Sequence, residues 1–289
     1  MSAMDAAKVL PAAGVESGAG AAEQPRALAQ AHRGPFSRIN VTGWRIIAVL
    51  AFLLAWHLAS IPAGKLLLPS PLDIAPAFVD VARSGQLLSA TLASLGVFIV
   101  GYLLAIVVGV TLGVLMGGMP RVGETLEIYV NALNATPRVA LIPLVILWFG
   151  LGPPAKIAVV WLMAVLPILI NTYAGVQNTD PDLIEAARSF GARRSQLFRH
   201  IMLPGALPYV VTGLRLGAAM AMVGTVFAEL YTALSGLGYL MAQFSGSFQT
   251  AKYFVPVLVL AGMGMLISEL LKVAERRMAR WKVNREVSV

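Results

Sequence analysis

The sequence predicts an all-α membrane protein with six transmembrane helices. The 289-residue chain is 58% hydrophobic and 12% charged, and its mean hydropathy is +0.77. A soluble domain averages about 45–50% apolar and about 25% charged residues. Six long apolar runs follow one another along the chain, and a helix needs about 20 apolar residues to cross a bilayer. The runs are too continuous for the strands of a membrane barrel, which alternate over about 10 residues.

The N-terminal segment precedes the first apolar run and shows no apolar period. Residues 1–43 are rich in Ala, Gly and Pro and mix charges of both signs, which is typical of a disordered tail. They contain no early apolar stretch of the kind that a secretory signal peptide needs. We therefore expect a disordered cytoplasmic tail over 1–43 and a first transmembrane helix over 44–64.

A turn and a helix-start signal follow the first span. Ser70 is a candidate N-cap, and Pro71 suits the first helical turn. Ile74, Phe78 and Val81 then recur on one helical face. This pattern predicts a short helix at the outer membrane surface.

Five further apolar runs supply the remaining spans. They lie at 90–119, 126–150, 157–176, 205–230 and 253–271. The run at 126–150 is interrupted by Pro137, Arg138 and Pro143. In the run at 90–119, Gly109, Gly113 and Gly117 recur every four residues, which favours close helix packing.

The distribution of positive charge predicts the orientation of the spans. An even number of spans puts both termini on one side. That side collects 16 Lys and Arg residues, with Arg45 at the start of the first span counted among them, while the other side has 4. Lys and Arg are enriched on the cytoplasmic side of membrane proteins. We therefore expect both termini in the cytoplasm, and the net charge of +8 needs no nucleic acid to explain it. The four residues expected outside are Lys65, Arg83, Lys156 and Lys252.

The longest charged loop between spans, 178–203, is cytoplasmic in this orientation. Asp180 and Pro181 form a helix-start signal, and Asp182 adds an acidic residue in the first turn. An apolar stripe follows, and Gly191 permits a sharp turn. A second short helix over 193–201 is predicted to end at Pro204. From these residues alone, the loop could also be an amphipathic segment lying on the lipid headgroups.

This loop carries a spaced motif. Glu185-Ala186-Ala187 is followed after three residues by Gly191, and after nine more by Ile201-Met202-Leu203-Pro204. The motif resembles the cytoplasmic coupling segment of permease subunits of bacterial ATP-binding-cassette importers. The resemblance covers about residues 65–275 and is closest to the sulfonate, nitrate and taurine permease family. The stretches that carry it further are Leu68-Pro69-Ser70-Pro71, Leu141-Ile142-Pro143-Leu144 with Leu147-Trp148-Phe149-Gly150, Leu203-Pro204-Gly205-Ala206-Leu207-Pro208 and Ser235-Gly236-Leu237-Gly238-Tyr239-Leu240.

The resemblance implies a type I (MetI-like) importer transmembrane domain. Its permease core would span 65–275, with five transmembrane helices and the coupling segment 180–204, before a basic cytoplasmic tail at 276–289. The family works as a homodimer in the inner membrane, docks its coupling helices on an ATPase subunit and receives substrate from a periplasmic binding protein. The residues expected at the ATPase interface are Glu185, Ala186, Ala187 and Gly191, with Leu183 and Phe190 on the apolar stripe.

The chain is expected to be a transport subunit and not an enzyme. It contains no G-x-x-x-x-G-K-[ST] phosphate loop, so ATP and Mg²⁺ would bind the partner ATPase, and we expect no cofactor on this chain. It also contains no cysteine, which excludes disulfides, thiolate metal sites and cysteine nucleophiles. An ion-coupled secondary transporter is the remote alternative, but no inverted repeat is visible in the sequence.

Arg138, Arg215 and Glu229 fall within the apolar runs and are candidates for the translocation pathway or its surroundings. Charges at membrane depth usually face a cavity or the bundle interior. Arg138 either lines the pathway and attracts an anion or forms an internal ion pair, for which Glu229 is a candidate. Arg215 lies within a Gly213-x-x-x-Gly217 spacing and is either structural or in the pathway. Glu229 is expected to be a surface carboxylate near the outer end of its span, with an outer-gate role as the second possibility.

The substrate expected from the resemblance is a small organic or inorganic anion, such as a sulfonate, taurine or nitrate. A pyrimidine precursor of thiamine or an aromatic acid is the alternative within the same importer class. Arg138 and Arg215 favour the anion.

Overall fold

The structure is a computed structural model that describes residues 41–278, and within that range every regular element is a helix. Residues 1–40 of the predicted N-terminal tail and residues 279–289 of the predicted basic tail lie outside the described residues. The α-helices are α1 Val41–Ala63, α2 Pro71–Arg83, α3 Gln86–Gly118, α4 Pro120–Ala135, α5 Ile142–Phe149, α6 Pro153–Gln177, α7 Pro181–Ser189, α8 Arg194–Leu197, α9 Leu203–Thr232, α10 Leu237–Gly246 and α11 Thr250–Met278. A 3₁₀ turn, Arg138–Leu141, precedes α5, and a π-helical turn, Phe198–Met202, precedes α9.

The fold class predicted from the sequence is confirmed. Within 41–278, five helical segments are long and apolar enough to cross a membrane: Thr42–Ala63, Gln86–Gly118, Pro153–Gln177, Arg194–Thr232 and Thr250–Val273. A sixth span is formed if α4 and the segment Arg138–Phe149 are taken together, although the two are bent by 88°. The bend lies at Thr136 and Pro137, where the missing amide hydrogen and fixed φ of proline interrupt the helix.

The chain forms two compact units that divide within α1, after Ala55. In the larger unit, the last part of α1 is fixed by its tryptophan. The Trp56 indole N–H donates to the Pro69 carbonyl at 3.1 Å, and the Trp56 and Phe254 ring centroids lie 5.4 Å apart. These contacts connect the end of α1 to the loop before α2 and to α11.

Helix α2 begins with a capping box. Ser70 is the N-cap: its Oγ accepts from the Asp73 N–H at 3.3 Å, and its own N–H donates to Asp73 Oδ2 at 3.2 Å. Lys65 Nζ also donates to Asp73 Oδ1, at 2.8 Å. The hydrogen bonds from Lys65 and Ser70 lower the pKa of Asp73 to about 2. The predicted helix start is confirmed, and Ile74 and Val81 bury the apolar face of the helix.

Helix α6 lies at the centre of the bundle, where α3 and α9 pack closely against it. A Cβ atom at Gly113 of α3 would lie 2.6 Å from Thr172 Cβ, and one at Gly117 would lie 2.5 Å from Val176 Cβ. On the other helix, a Cβ at Gly217 of α9 would lie 2.5 Å from Ile168 Cγ1. The predicted packing role of the glycine stripe is therefore confirmed, and its partner is a helix of the same chain.

Candidate functional site: coupling segment, broken span and outer cluster

The coupling segment starts as the sequence predicts. Asp180 is the N-cap of α7, and its Oδ1 accepts from the Asp182 N–H at 3.0 Å. Pro181 occupies the first helical position, where its missing N–H costs no hydrogen bond. These local signals fix where α7 begins.

Helix α7 ends in a Schellman motif built on Gly191. The Ala192 N–H donates to the Ala187 carbonyl at 3.0 Å, and the Gly191 N–H donates to the Arg188 carbonyl at 2.8 Å. Gly191 has φ of +79°, a left-handed backbone conformation that residues other than glycine rarely adopt. This turn reverses the chain tightly and leaves Phe190 at the tip.

Two apolar side chains of the coupling segment, those of Leu183 and Phe190, are exposed in the chain. Phe190 is 92% exposed and Leu183 is 56% exposed, and Glu185 and Ala186 are exposed beside them. Ala187 is half-buried, and with Phe190 it borders an open concave space of about 500 Å³.

The predicted second short helix is wrong in one respect, because the helix does not end at Pro204. Helix α8 passes into the π-helical turn Phe198–Met202 and then directly into α9, which gives a continuous helical run of 39 residues, Arg194–Thr232. Pro204 lies in the first turn of α9. A π-helical turn changes the carbonyl spacing ahead of the proline, whose ring would clash in a regular α-helix interior. The coupling segment is therefore continuous with α9.

Arg138 lies at the bend of the broken span. Its side chain is half-buried, and one guanidinium Nη donates to the Met163 carbonyl of α6 at 2.8 Å. The ion pair with Glu229 that the sequence leaves open is not formed, because Glu229 has the other partners described below. Arg138 is thus fixed to the central helix at the point where the backbone of the span is interrupted.

Arg215 lies in a part of α9 that packs closely against α6. A Cβ at Gly213 would lie 2.9 Å from Asn171 Cβ, and the Gly217 position is similarly tight against Ile168. Arg215 itself is half-buried between these two glycines. The Gly213-x-x-x-Gly217 spacing therefore serves helix packing.

Glu229 is not the surface carboxylate that the sequence suggests. Its exposed fraction is 0%, and its carboxylate accepts hydrogen bonds from the Ser94 hydroxyl at 2.8 and 2.9 Å and from the Gly238 N–H at 2.9 Å. The carboxylate faces inward because α3 and the loop before α10 close over it. A carboxylate can be buried in this way when donors compensate for its lost hydration.

Lys156 is a second buried charge that the sequence assigns to the outer surface. It lies in the first turn of α6, is 2% exposed, and its Nζ donates to the Ser235 carbonyl at 2.8 Å and to Ser235 Oγ at 2.9 Å. Its charge also attracts that of Glu229. We call Ser94, Lys156, Glu229 and residues 235–238 the outer cluster, after the side of the membrane that the charge distribution predicts for them. The only hint of it in the sequence is the run Ser235-Gly236-Leu237-Gly238, which begins six residues after Glu229.

The match to a known family decides the identity of the chain. Residues 105–280, more than half of the chain, match the family described as "Binding-protein-dependent transport system inner membrane component". The chain belongs to this family. It is a permease subunit of an ATP-binding-cassette importer, a transport component of the membrane that acts with a binding protein and with ATPase subunits that hydrolyse ATP.

Relatives align over most of their length. The putative aliphatic sulfonates transport permease protein SsuC of Escherichia coli K12 is 37% identical, covering 78% of this chain and 87% of the relative. The taurine transport system permease protein TauC of the same organism is 33% identical over 81% and 88%. The formylaminopyrimidine transport permease protein ThiX of Halalkalibacterium halodurans is 31% identical over 81% and 93%.

A solved structure supports the fold. The inward-facing MetNI methionine ABC transporter matches with a TM-score of 0.53 and 20% identity, covering 69% of this chain and 97% of that chain. At this identity the match concerns the fold alone. It agrees with the type I importer transmembrane domain that the coupling motif predicts.

Proposed function

We propose that this permease forms the translocation pathway of an importer for a small sulfonate such as taurine or an alkanesulfonate. The support is the similarity to two sulfonate-class permeases at 33% and 37% identity. Two half-buried arginines within spans, Arg138 and Arg215, agree with an anionic substrate. Nitrate is a related anion that the same charges would attract.

The proposed assembly places two copies of the chain in the bacterial inner membrane, with both termini in the cytoplasm. The charge asymmetry of the sequence supports this orientation. The structure agrees at one point: Arg121, at the start of α4, and Arg194 of the coupling segment line the same cavity of about 880 Å³. One basic residue from each of two different helices therefore lies at the same end of the bundle, as this orientation requires.

The coupling segment is proposed to dock on the partner ATPase, and the exposure of Phe190 is the observation that carries this role. The contact residues would be Leu183, Glu185, Ala186, Ala187, Phe190 and Gly191. Lipid headgroups are the competing partner for an amphipathic loop. However, Phe190 sits on a rigid Schellman turn, and a preformed anchor of this kind suits a protein pocket.

Loss of the gene is expected to abolish sulfonate uptake in the native host. Labelled taurine and an alkanesulfonate are offered to the deletion strain and to the strain complemented with this chain, and uptake is followed over minutes. Uptake should fall to background and return on complementation. Formylaminopyrimidine is the control substrate, because ThiX makes it the second candidate. If sulfonate uptake is undiminished and formylaminopyrimidine uptake is lost, the substrate is a pyrimidine precursor and not a sulfonate.

Arg138→Ala is expected to lower anion uptake about tenfold or more without releasing the ATPase. The physical reason is the loss of a positive charge at the interrupted backbone of the broken span, where few other groups can compensate within lipid. Arg138→Lys should retain part of the uptake, since it keeps the charge and one donor for the Met163 carbonyl. The matched control is Arg83→Ala, which removes an exposed arginine from the last turn of α2. Uptake at the wild-type rate by Arg138→Ala would show that Arg138 has no role in the translocation pathway.

A further inference from the structure

The outer cluster joins three helices to one loop through buried polar side chains. Ser94 comes from α3, Lys156 from α6 and Glu229 from α9, and their exposed fractions are 0%, 2% and 0%. Leaving such buried groups without partners is unfavourable, and more so for charged groups. The helices and the loop are therefore held together at this point by contacts that are expensive to break.

The cluster determines the start of α10. The Gly238 N–H donates to Glu229 Oε2 at 2.9 Å, and the Leu237 N–H donates to Ser94 Oγ at 2.8 Å. The N-cap position of α10 is Gly236, which has no side chain to cap the helix. Side chains of other helices thus take over the capping role. A Cβ atom at Gly236, where φ is +101°, would collide with the Glu229 carboxylate.

Two helices of the cluster lead directly to the coupling segment. Helix α9 continues from it without interruption, and Glu229 lies 26 residues after Leu203, about 39 Å at about 1.5 Å per residue. Helix α6 ends at Gln177, just before α7, and Lys156 lies near its opposite end, about 32 Å away by the same rise. Both helices that flank the coupling segment therefore reach the outer cluster at their far ends.

Helix α10 passes the connection on to the outer elements. Its buried residues Leu237, Leu240 and Phe244 form one apolar cluster with Val81 of α2, Leu87 and Ala90 of α3, and Val255 of α11. These neighbours lie at the end of the bundle opposite the coupling segment. A displacement of α10 would therefore change its packing against α2, α3 and α11.

We propose that the outer cluster couples the coupling segment to the outer end of the permease, with Glu229 as the positioning residue that makes α10 move together with α6 and α9. Movement of the coupling segment is carried by two helices to the cluster and from there to α10. By reciprocity, the same contacts carry the effect of a docked binding protein back to the ATPase. The proposal rests on the coupling role assigned above to the segment around Phe190.

The test is ATP hydrolysis by the complete complex in lipid nanodiscs, with and without the substrate-loaded binding protein. Glu229→Ala should keep ATPase copurification and basal hydrolysis within about twofold of wild type. Stimulation by the binding protein should fall at least about fivefold. Glu229→Gln should keep at least half of the stimulation, because its amide oxygen still accepts from Ser94 and Gly238. The matched control is Glu269→Ala, an exposed glutamate of α11.

Ser94→Ala is the second, milder variant, and it decides the outcome if Glu229→Ala does not assemble. It removes one donor to Glu229 and the acceptor of the Leu237 N–H, and should lower stimulation about twofold to fivefold. Because the chain contains no cysteine, Ser245→Cys reports on α10 through its rate of modification by an impermeant maleimide. This rate should change on ATP binding in the parent and become independent of ATP in Ser94→Ala.

Full stimulation in an assembled Glu229→Ala or Ser94→Ala complex would overturn the proposal. Equal loss of basal and stimulated hydrolysis would also overturn it, since that result assigns the cluster to stability alone. Loss of ATPase binding in Phe190 variants concerns only the coupling segment. The two proposals can therefore fail separately.

Discussion

Phe190→Asp is expected to release the ATPase from the purified permease while leaving the permease folded. Phe190 is 92% exposed, so its replacement removes little packing within the chain. In the complex it would be a buried aromatic anchor, and truncating such an anchor commonly weakens binding by 2 kcal/mol or more, about 30-fold. A buried aspartate at the interface adds an uncompensated charge and enlarges the loss.

The measurement is copurification of the ATPase with tagged permease at equal permease yield. The matched control is Phe248→Asp, since Phe248 is also an exposed phenylalanine, at 75%, but lies in the loop between α10 and α11. Only Phe190→Asp should lose the ATPase. Unchanged copurification with both variants would mean that this segment is not the main docking site and would favour its contact with lipid headgroups.

The coupling segment could be predicted well from sequence because its determinants are local. The N-cap Asp180, Pro181 and the left-handed Gly191 each act within a few residues of their own position. Backbone hydrogen bonds of the α7 termini depend on these residues and not on distant contacts. The same holds for the Ser70 capping box of α2.

The path of the helix beyond the coupling segment could not be predicted from the same signals. From its local sequence, Pro204 predicts the end of a helix, yet the chain continues into α9 through a π-helical turn. The cost of the proline is small in this place because the turn before it is not a regular α-helix. Tertiary packing of α9 against α6 stabilises the continuous form.

The outer cluster was missed because its members are far apart in the sequence. Glu229 is separated from Ser94 by 135 residues, and Lys156 from Ser235 by 79. The charge distribution predicts only that Lys156 lies on the outer side, and a lysine near a helix end usually keeps its charged group in water. Burial depends on which residues pack over a side chain, and neither the composition nor the hydrophobic periodicity of the sequence contains that information.

The glycine stripe of α3 could be predicted in part. The sequence shows which face of the helix packs closely, but not which helix packs against it. Gly109, Gly113 and Gly117 recur at one-turn spacing, which predicts a smooth surface. The structure places α6 against this surface, so the stripe is used within one chain. An interface between two copies would have been an equally good interpretation of the spacing.

Gly113→Ala is expected to destabilise the permease by about 1–3 kcal/mol, the usual cost of inserting a methyl group into a well-packed interior. The new Cβ would lie 2.6 Å from Thr172 Cβ and 2.8 Å from the Leu169 carbonyl oxygen, so neither a flexible side-chain end nor open space can absorb it. The apparent melting temperature in detergent, followed by size-exclusion chromatography of heated samples, should fall by several degrees.

Gly96→Ala is the matched control, because it makes the same substitution in the same helix. A Cβ at Gly96 meets no atom within 4 Å, and alanine favours a helix over glycine by about 1 kcal/mol. The melting temperature should therefore stay unchanged or rise. Opposite signs for the two variants would show that close approach to α6, and not glycine content as such, requires Gly113. Equal shifts would contradict the close packing of α3 against α6 on which the central bundle depends.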